Sequence, residues 1–238
     1  MNTLKTLTGI IACILLITTA CKKDEYYVDG GRANPVFDGD ILAYLESKPM
    51  EFDTIAQIVK LAGLEETFRN EEFTFFAPRD ENIKRLIGDV TRSNSANREL
   101  FYSGRDTIQT LADVDPAIWR KYLERYMFDG KNKLMDYPQI DYDLLNIYPG
   151  QNYISRASTV SNIGVVYNDA NNIKYMGYRQ LYISLIPDLS QPTTWIVQKV
   201  ASSDVQPKNG VVHVIDFTSG EFGFNPWEVI NDILESKR

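Results

Sequence analysis

The sequence predicts an α+β fold in a single domain, and three stretches carry that reading. Apolar residues recur at helical spacing between Ile41 and Tyr126. Short apolar segments broken by turn residues fill Leu144 to Val200. Near the end, the turn pair Asn209-Gly210 runs into Val211-Val212-His213-Val214-Ile215, four β-branched residues around the only histidine, as a turn feeding a core strand does. At period two, Val211, His213 and Ile215 share one face, and Val212, Val214 and Asp216 the other.

The first helix follows Asp38, with Ile41, Leu42 and Leu45 on one stripe, and Pro49 is expected to limit it. Asp53 is read as the cap of the next helix, whose Ile55, Ile58, Val59 and Ala62 face inward before Gly63 supplies the left-handed end. Phe73 to Ala77 is almost continuously apolar, as a strand covered on both faces is. Pro78 ends it, and Asp80 is read as capping a helix that buries Ile83, Leu86 and Ile87. Ser93 to Asn97 reads as surface loop. Asp115-Pro116 opens a strong helix with Ile118, Tyr122, Leu123 and Tyr126 on its apolar face. Asn225-Pro226-Trp227-Glu228 opens a last one that is to bury Trp227, Ile230, Ile233 and Leu234.

The whole chain has 238 residues, 44% hydrophobic and 24% charged, the balance of a folded domain rather than of a disordered segment. Its net charge of −7, without a basic cluster on one face, excludes a binder whose affinity comes from neutralising nucleic-acid phosphates. Residues 1–20 read as a signal: Lys5 precedes an apolar run, Leu7 to Ile17, too short to span a bilayer, and small residues lead to Cys21. This resembles a bacterial lipoprotein signal in which Cys21 becomes the lipidated first residue, with Thr18 in place of the usual leucine. Cys13 would be removed, so the mature chain would hold no free thiol and no disulfide. Residues 21–37 read as a tether. Its Lys22-Lys23-Asp24-Glu25 resembles the signal that sends Bacteroidetes-type lipoproteins to the outer surface, which implies an outer-membrane protein facing the exterior.

Two stretches resemble signatures of the fasciclin domain family, an extracellular adhesion module. Phe73-Thr74-Phe75-Phe76-Ala77-Pro78-Arg79-Asp80-Glu81 is similar to the first, with Arg79 where threonine is usual and Ile83 where phenylalanine is usual. Asn209 to Asp216 is similar to the second. The resemblance implies two packed, wedge-like β layers with helices against them over residues 38–220, and residues 221–238 are read as a helix docked on that domain. Tyr126-Met127-Phe128 aligns with the family's tyrosine–histidine motif, but the histidine is Met127 here, so the integrin contact tied to that motif in some animal members does not carry over.

Catalytic chemistry finds few groups. One histidine permits no two-histidine metal motif, and lipidation of Cys21 removes the thiol nucleophile. His213, mid-strand between valines, is expected to be structural. Asp136, Asp141 and Asp143, and Glu71 with Glu72, are carboxylate clusters of the kind that loops carry, and Asn168 to Asn172 reads as a hairpin turn without the spacing of a calcium loop. No cofactor or metal site is therefore expected, and the chain is read as not an enzyme. Tyrosine stands out: 14 in the chain, with Tyr167, Tyr175, Tyr178 and Tyr182 close together. Period two puts Tyr178 and Tyr182 with Met176 and Gln180, opposite the core candidates Leu181 and Ile183. Met176, Tyr178 and Tyr182 are therefore the expected ligand-binding strip, for a protein or glycan outside the cell. A second expectation is an accessory glycan-binding lipoprotein associated with an outer-membrane transport complex.

Overall fold

Seven strands form one sheet in the order β2-β1-β7-β6-β5-β4-β3 in the computed structural model, which describes residues 34–191 and 194–237. The strands are β1 Phe73–Ala77, β2 Met127–Asp129, β3 Gln151–Ile154, β4 Val160–Tyr167, β5 Arg179–Leu185, β6 Ile196–Val205 and β7 Gly210–Ile215. Among the described residues seven α-helices accompany them: α1 Ile41–Glu46, α2 Pro49–Leu61, α3 Glu65–Asn70, α4 Asp80–Ile87, α5 Ala96–Tyr102, α6 Pro116–Leu123 and α7 Pro226–Ser236. The arrangement is α+β. The signal, the anchor Cys21 and most of the tether lie outside the described residues.

The sheet curls until its edges meet. Just past β3, Arg156 donates its backbone N–H to the Met127 carbonyl of β2 at 2.9 Å. Its guanidinium pairs with Asp129 at 3.1 Å and Glu71 at 2.7 Å. Two register shifts along β6, between Val200 and Ser202 and between Ser202 and Val205, supply the bend. The two β layers are thus halves of one sheet that share β6. All pairings are antiparallel except β1 with β7, whose parallel register runs from Phe73–Gly210 to Ala77–Val214.

The core fills the side where β1 and β7 meet the helices. Both strands are buried at every position, as the almost continuously apolar run of β1 leads one to expect. Phe68 packs edge-on against Phe73 and Phe75, with ring centroids 5.1 and 5.0 Å away. A second cluster joins Trp119, Tyr126, Phe222 and Phe224. All of these side chains are buried, and packing on this scale holds together the described residues, which include no cysteine.

Several expected helix ends are present. Asp115 accepts from Ala117 N–H at 2.8 Å, and Asn225 from Trp227 N–H at 3.1 Å while its amide meets Glu228. Gly63, at φ +67°, closes α2 with bonds from its own N–H to Lys60 and from Leu64 N–H to Val59.

Other expectations are corrected. The first helix does stop short of Pro49, at Glu46, but Pro49 also opens α2 as its first residue, which leaves Asp53 inside that helix rather than at its cap. Arg79 is the cap position of α4, satisfied through Asn82 Oδ1, and the buried Asp80 reaches across to Ile55 N–H at 3.2 Å. Ser93 to Asn97 is not all surface loop. Asn97 is buried and bonds Gly88 and Ile108, so polar composition there marks a satisfied internal knot at the start of α5. Of the face expected for α7, Ile230 and Ile233 are buried and Leu234 packs partly buried against the core, but Trp227 remains 43% exposed and Val229 is buried in its stead. Gly210 is required by space rather than by a left-handed turn, since a Cβ there would stand 2.2 Å from the Phe73 carbonyl in the parallel ladder.

Candidate functional site

Among the described residues, no helix packs substantially on β3, β4 or β5. A strap, residues 138–150, takes that place. It joins β4 through Val165 N–H to Pro138 O at 2.8 Å and Ile140 N–H to Val165 O at 3.0 Å. Gly164 lies under Ile140, where a Cβ would come within 2.6 Å, so the glycine sets how closely the strap can lie. Tyr142 anchors the middle, its hydroxyl 2.8 Å from Ser184 Oγ and its ring 5.9 Å from that of Tyr182.

Where the strap meets the β4–β5 connection lies a cleft of about 360 Å³, with Asp141, Tyr142, Asp143, Tyr167, Asp169 and Tyr175 on its walls and Lys174 the cation beside them. Tyr175 is its keystone. It sits at φ +63°, a conformation unusual for a bulky residue, and three contacts hold it there. Its N–H donates to Asp169 Oδ1 at 2.9 Å, its hydroxyl donates to Asp141 Oδ2 at 2.8 Å, and its ring meets Tyr148 edge-on at 5.5 Å. The hydroxyl bond to the Asp141 carboxylate, before desolvation, pushes the Tyr175 phenol up to about 12. Asp141 Oδ1 accepts from Asp143 N–H at 2.9 Å, so both oxygens of this carboxylate are engaged in holding the cleft's shape. Arg179 stacks on Tyr167, 3.6 Å from the ring centroid, and donates to the Tyr175 and Gly177 carbonyls.

The expected strip is split. Strand β5 begins at Arg179, so period-two alternation does not reach back to Met176 and Tyr178. Those two lie on the β4–β5 connection, each 68% exposed, and neither is among the residues that line the cleft. Tyr182 lies within β5, half-buried against Tyr142, with Lys199 Nζ 5.9 Å from its ring. Of the acidic clusters, Asp141 and Asp143 reach the cleft and are joined by Asp169. Asp136 instead closes a turn with Lys133 N–H at 2.7 Å, and Glu71 and Glu72 are ion-paired with Arg156 and Lys131. Sequence reasoning did not bring Tyr142 and Tyr148 into this group. Their strap carries no periodic signal, and only its contacts with β4 and β5 place them.

His213 lies away from the cleft, fully buried under the Phe76 ring, whose centroid is 4.9 Å away. Its Nδ1 accepts from Asp204 N–H at 3.2 Å, which leaves the proton on Nε2 to donate to the Asn132 carbonyl at 2.9 Å. Burial lowers its pKa to about 4 and keeps the ring neutral. Met127, at the family's histidine position, is buried in β2. Among the described residues, no three His, Cys, Asp or Glu side chains are grouped to hold a metal ion, and no helix is long and apolar enough to cross a membrane.

No curated protein matches the chain. A solved FAS1 domain pair from the insect cell adhesion molecule Fasciclin I is similar in fold, at 21% identity and a TM-score of 0.48. The match covers 75% of this chain and 50% of that one, so this chain spans half the length of the structure it resembles. The family model for the fasciclin domain matches residues 50–218, from the start of α2 through the strand β7 that follows Asn209. In that segment Asn209 ties the fold together, accepting from Ile41 N–H and donating to the Phe68 and Glu71 carbonyls, each at 2.9 Å. The chain belongs to the fasciclin domain family, a family of domains generally associated with adhesion and binding.

Proposed function

We propose that this chain is a non-enzymatic, lipid-anchored protein of the outer cell surface that binds an extracellular protein or glycan through its fasciclin domain. The observation that carries the reading is the cleft at the strap, where Tyr142, Tyr167 and Tyr175 stand beside fixed carboxylates and Met176 and Tyr178 are exposed on the same connection. Aromatic faces beside polar groups held in place by other bonds are the furniture of a binding surface. What supports the non-enzymatic part is how His213 and Asp141 are used. The one histidine is buried with both nitrogens bonded, and both oxygens of Asp141 are committed to Asp143 and Tyr175.

The mix of tyrosine rings and acceptor oxygens also favours a second reading, an accessory glycan-binding lipoprotein attached to an outer-membrane uptake complex. Glycan arrays and a pull-down of outer-membrane partners separate the two. Binding is expected to fall when Tyr178 is changed to alanine, and unchanged affinity of the folded variant would remove that exposed connection from consideration. Anchoring is tested by Cys21→Ala. Several acyl chains give stable attachment where one gives only marginal binding, so the variant should leave the membrane fraction in a high-salt wash. Retention there would overturn the lipoprotein reading. Replacing Asp24 and Glu25 by alanine should reduce protease access on intact cells, which tests surface display.

A further inference from the structure

Asn209-Gly210 is the one Asn-Gly pair in the chain. Asparagine is a thermolabile residue, and most of all before glycine, whose missing side chain leaves its backbone nitrogen free to reach the neighbouring amide. In that reaction the Gly210 nitrogen loses its proton to hydroxide and bonds to Asn209 Cγ. The Cγ–Nδ2 bond breaks, and the amide nitrogen leaves as ammonia after taking a proton from water. Water then opens the cyclic imide at either carbonyl. The product is aspartate or, with the main chain rerouted through Cγ, isoaspartate.

The fold blocks the first step. Asn209 Oδ1 accepts from Ile41 N–H at the start of α1, and Nδ2 donates to the Phe68 carbonyl of α3 and the Glu71 carbonyl just beyond it, each at 2.9 Å. Both ends of the amide are therefore engaged. A flip would set oxygen against oxygen at Phe68 and Glu71, so the orientation is fixed as well. The attacking nitrogen is held too, since Gly210 N–H donates to the Pro207 carbonyl at 3.3 Å and Gly210 is buried beside Phe73 at the start of β7. To react, the amide must give up three bonds to two other segments, and Gly210 must leave the sheet.

We propose that Asn209 is a deamidation site opened only by unfolding, and that its conversion stops the chain from refolding. Neither product fits the native site. An aspartate would set a carboxylate oxygen against the Phe68 and Glu71 carbonyls and leave both without their donor. An isoaspartate would lengthen the main chain by one carbon immediately before Gly210, where even a Cβ would stand 2.2 Å from the Phe73 carbonyl. The parallel register from Phe73–Gly210 to Ala77–Val214 depends on that fit. Chemical change in the unfolded chain is a known route by which unfolding becomes irreversible. The residue that ties α1, α3 and β7 together is thus also the one that records whether they have come apart. Nothing in this depends on what the clefts bind.

The test incubates the full chain at mildly alkaline pH, folded in buffer and unfolded in guanidinium chloride, and follows the peptide that contains Asn209 by mass spectrometry. Conversion is expected in the unfolded sample and ~100-fold or more slowly in the folded one, where the unfolded population is small. On dilution from denaturant, the refolded fraction should fall in step with conversion. A sample held unfolded at mildly acidic pH, where hydroxide is scarce, should keep its ability to refold. Asn209→Asp supplies one product directly and should melt below wild type or fail to fold. If the acid-held sample also refolds poorly, the ratio of conversion rates and the Asn209→Asp melt decide. Equal conversion in folded and unfolded samples, no conversion in the unfolded one, refolding indifferent to conversion, or an Asn209→Asp chain that melts like wild type would each overturn the proposal.

Discussion

The two halves of the sheet meet at β6 but are built differently. Where helices cover it, as over β1 and β7, every position is buried and the interior is aromatic. Across β3, β4 and β5 the cover is the strap 138–150, which leaves a cleft at each end. β3 is largely exposed, and Asn162 and Ser184 are buried polar side chains beneath the strap. A helix can seal a sheet face with side chains because its own backbone is satisfied internally, whereas a strap must spend hydrogen bonds on β4 and seals less. Stability is therefore concentrated in the helix-covered half, and the two clefts beside the strap lie in the other.

The sharpest way to break that comparison is to open the sealed half. Phe76→Ala removes the ring that packs on Phe128, Tyr137 and His213. It should destabilise the fold by about 3–5 kcal/mol in urea unfolding, as large-to-small changes in a closed core do. A cost below about 1 kcal/mol would show that this half is not the tightly packed one.

His213→Gln is next. It replaces two buried hydrogen bonds imperfectly and should cost ~1–2 kcal/mol while leaving binding by the folded fraction intact. The pH dependence gives a second readout. The folded pKa, about 4, lies below the unfolded value of 6.5, so between these values the unfolded chain binds the extra proton. The histidine's contribution is thus fully present above pH 6.5 and is lost as pH falls toward 4. The wild-type chain should lose stability relative to His213→Gln across that window, and parallel pH curves for the two proteins would rule this out.

The smallest effects belong to the strap-covered half. Tyr182→Ala removes a half-buried ring from Tyr142 and should cost about 1 kcal/mol, whereas Tyr178→Ala, on an exposed ring, should stay within about 0.5 kcal/mol of wild type. Thermal melts of the single variants decide whether the two tyrosines share one environment. Equal losses would restore the single strip that period two suggested.

What the sequence determined by itself is local. Apolar spacing placed α1 and α2, the pairs Asp115-Pro116 and Asn225-Pro226 marked helix starts, Gly63 marked a helix end, and the almost continuously apolar run Phe73 to Ala77 announced a strand buried on both faces. Such signals lie within a few residues of what they specify, because backbone dihedrals and capping bonds are short-range. His213 was legible as structural from its valine neighbours alone. Tertiary structure decided the rest, since those features join positions far apart in the chain. Asn97 looked like loop until Gly88 and Ile108 were seen to satisfy it, and Gly210 looked like a turn residue until the Phe73 carbonyl filled the place of its Cβ. Both clefts depend on how the strap crosses β4 and β5. Tyr175 is a keystone only because Asp141, 34 residues away, accepts its hydroxyl, and the buried Asn162 amide finds an acceptor only because the turn at Pro149-Gly150 is brought to lie beside β4.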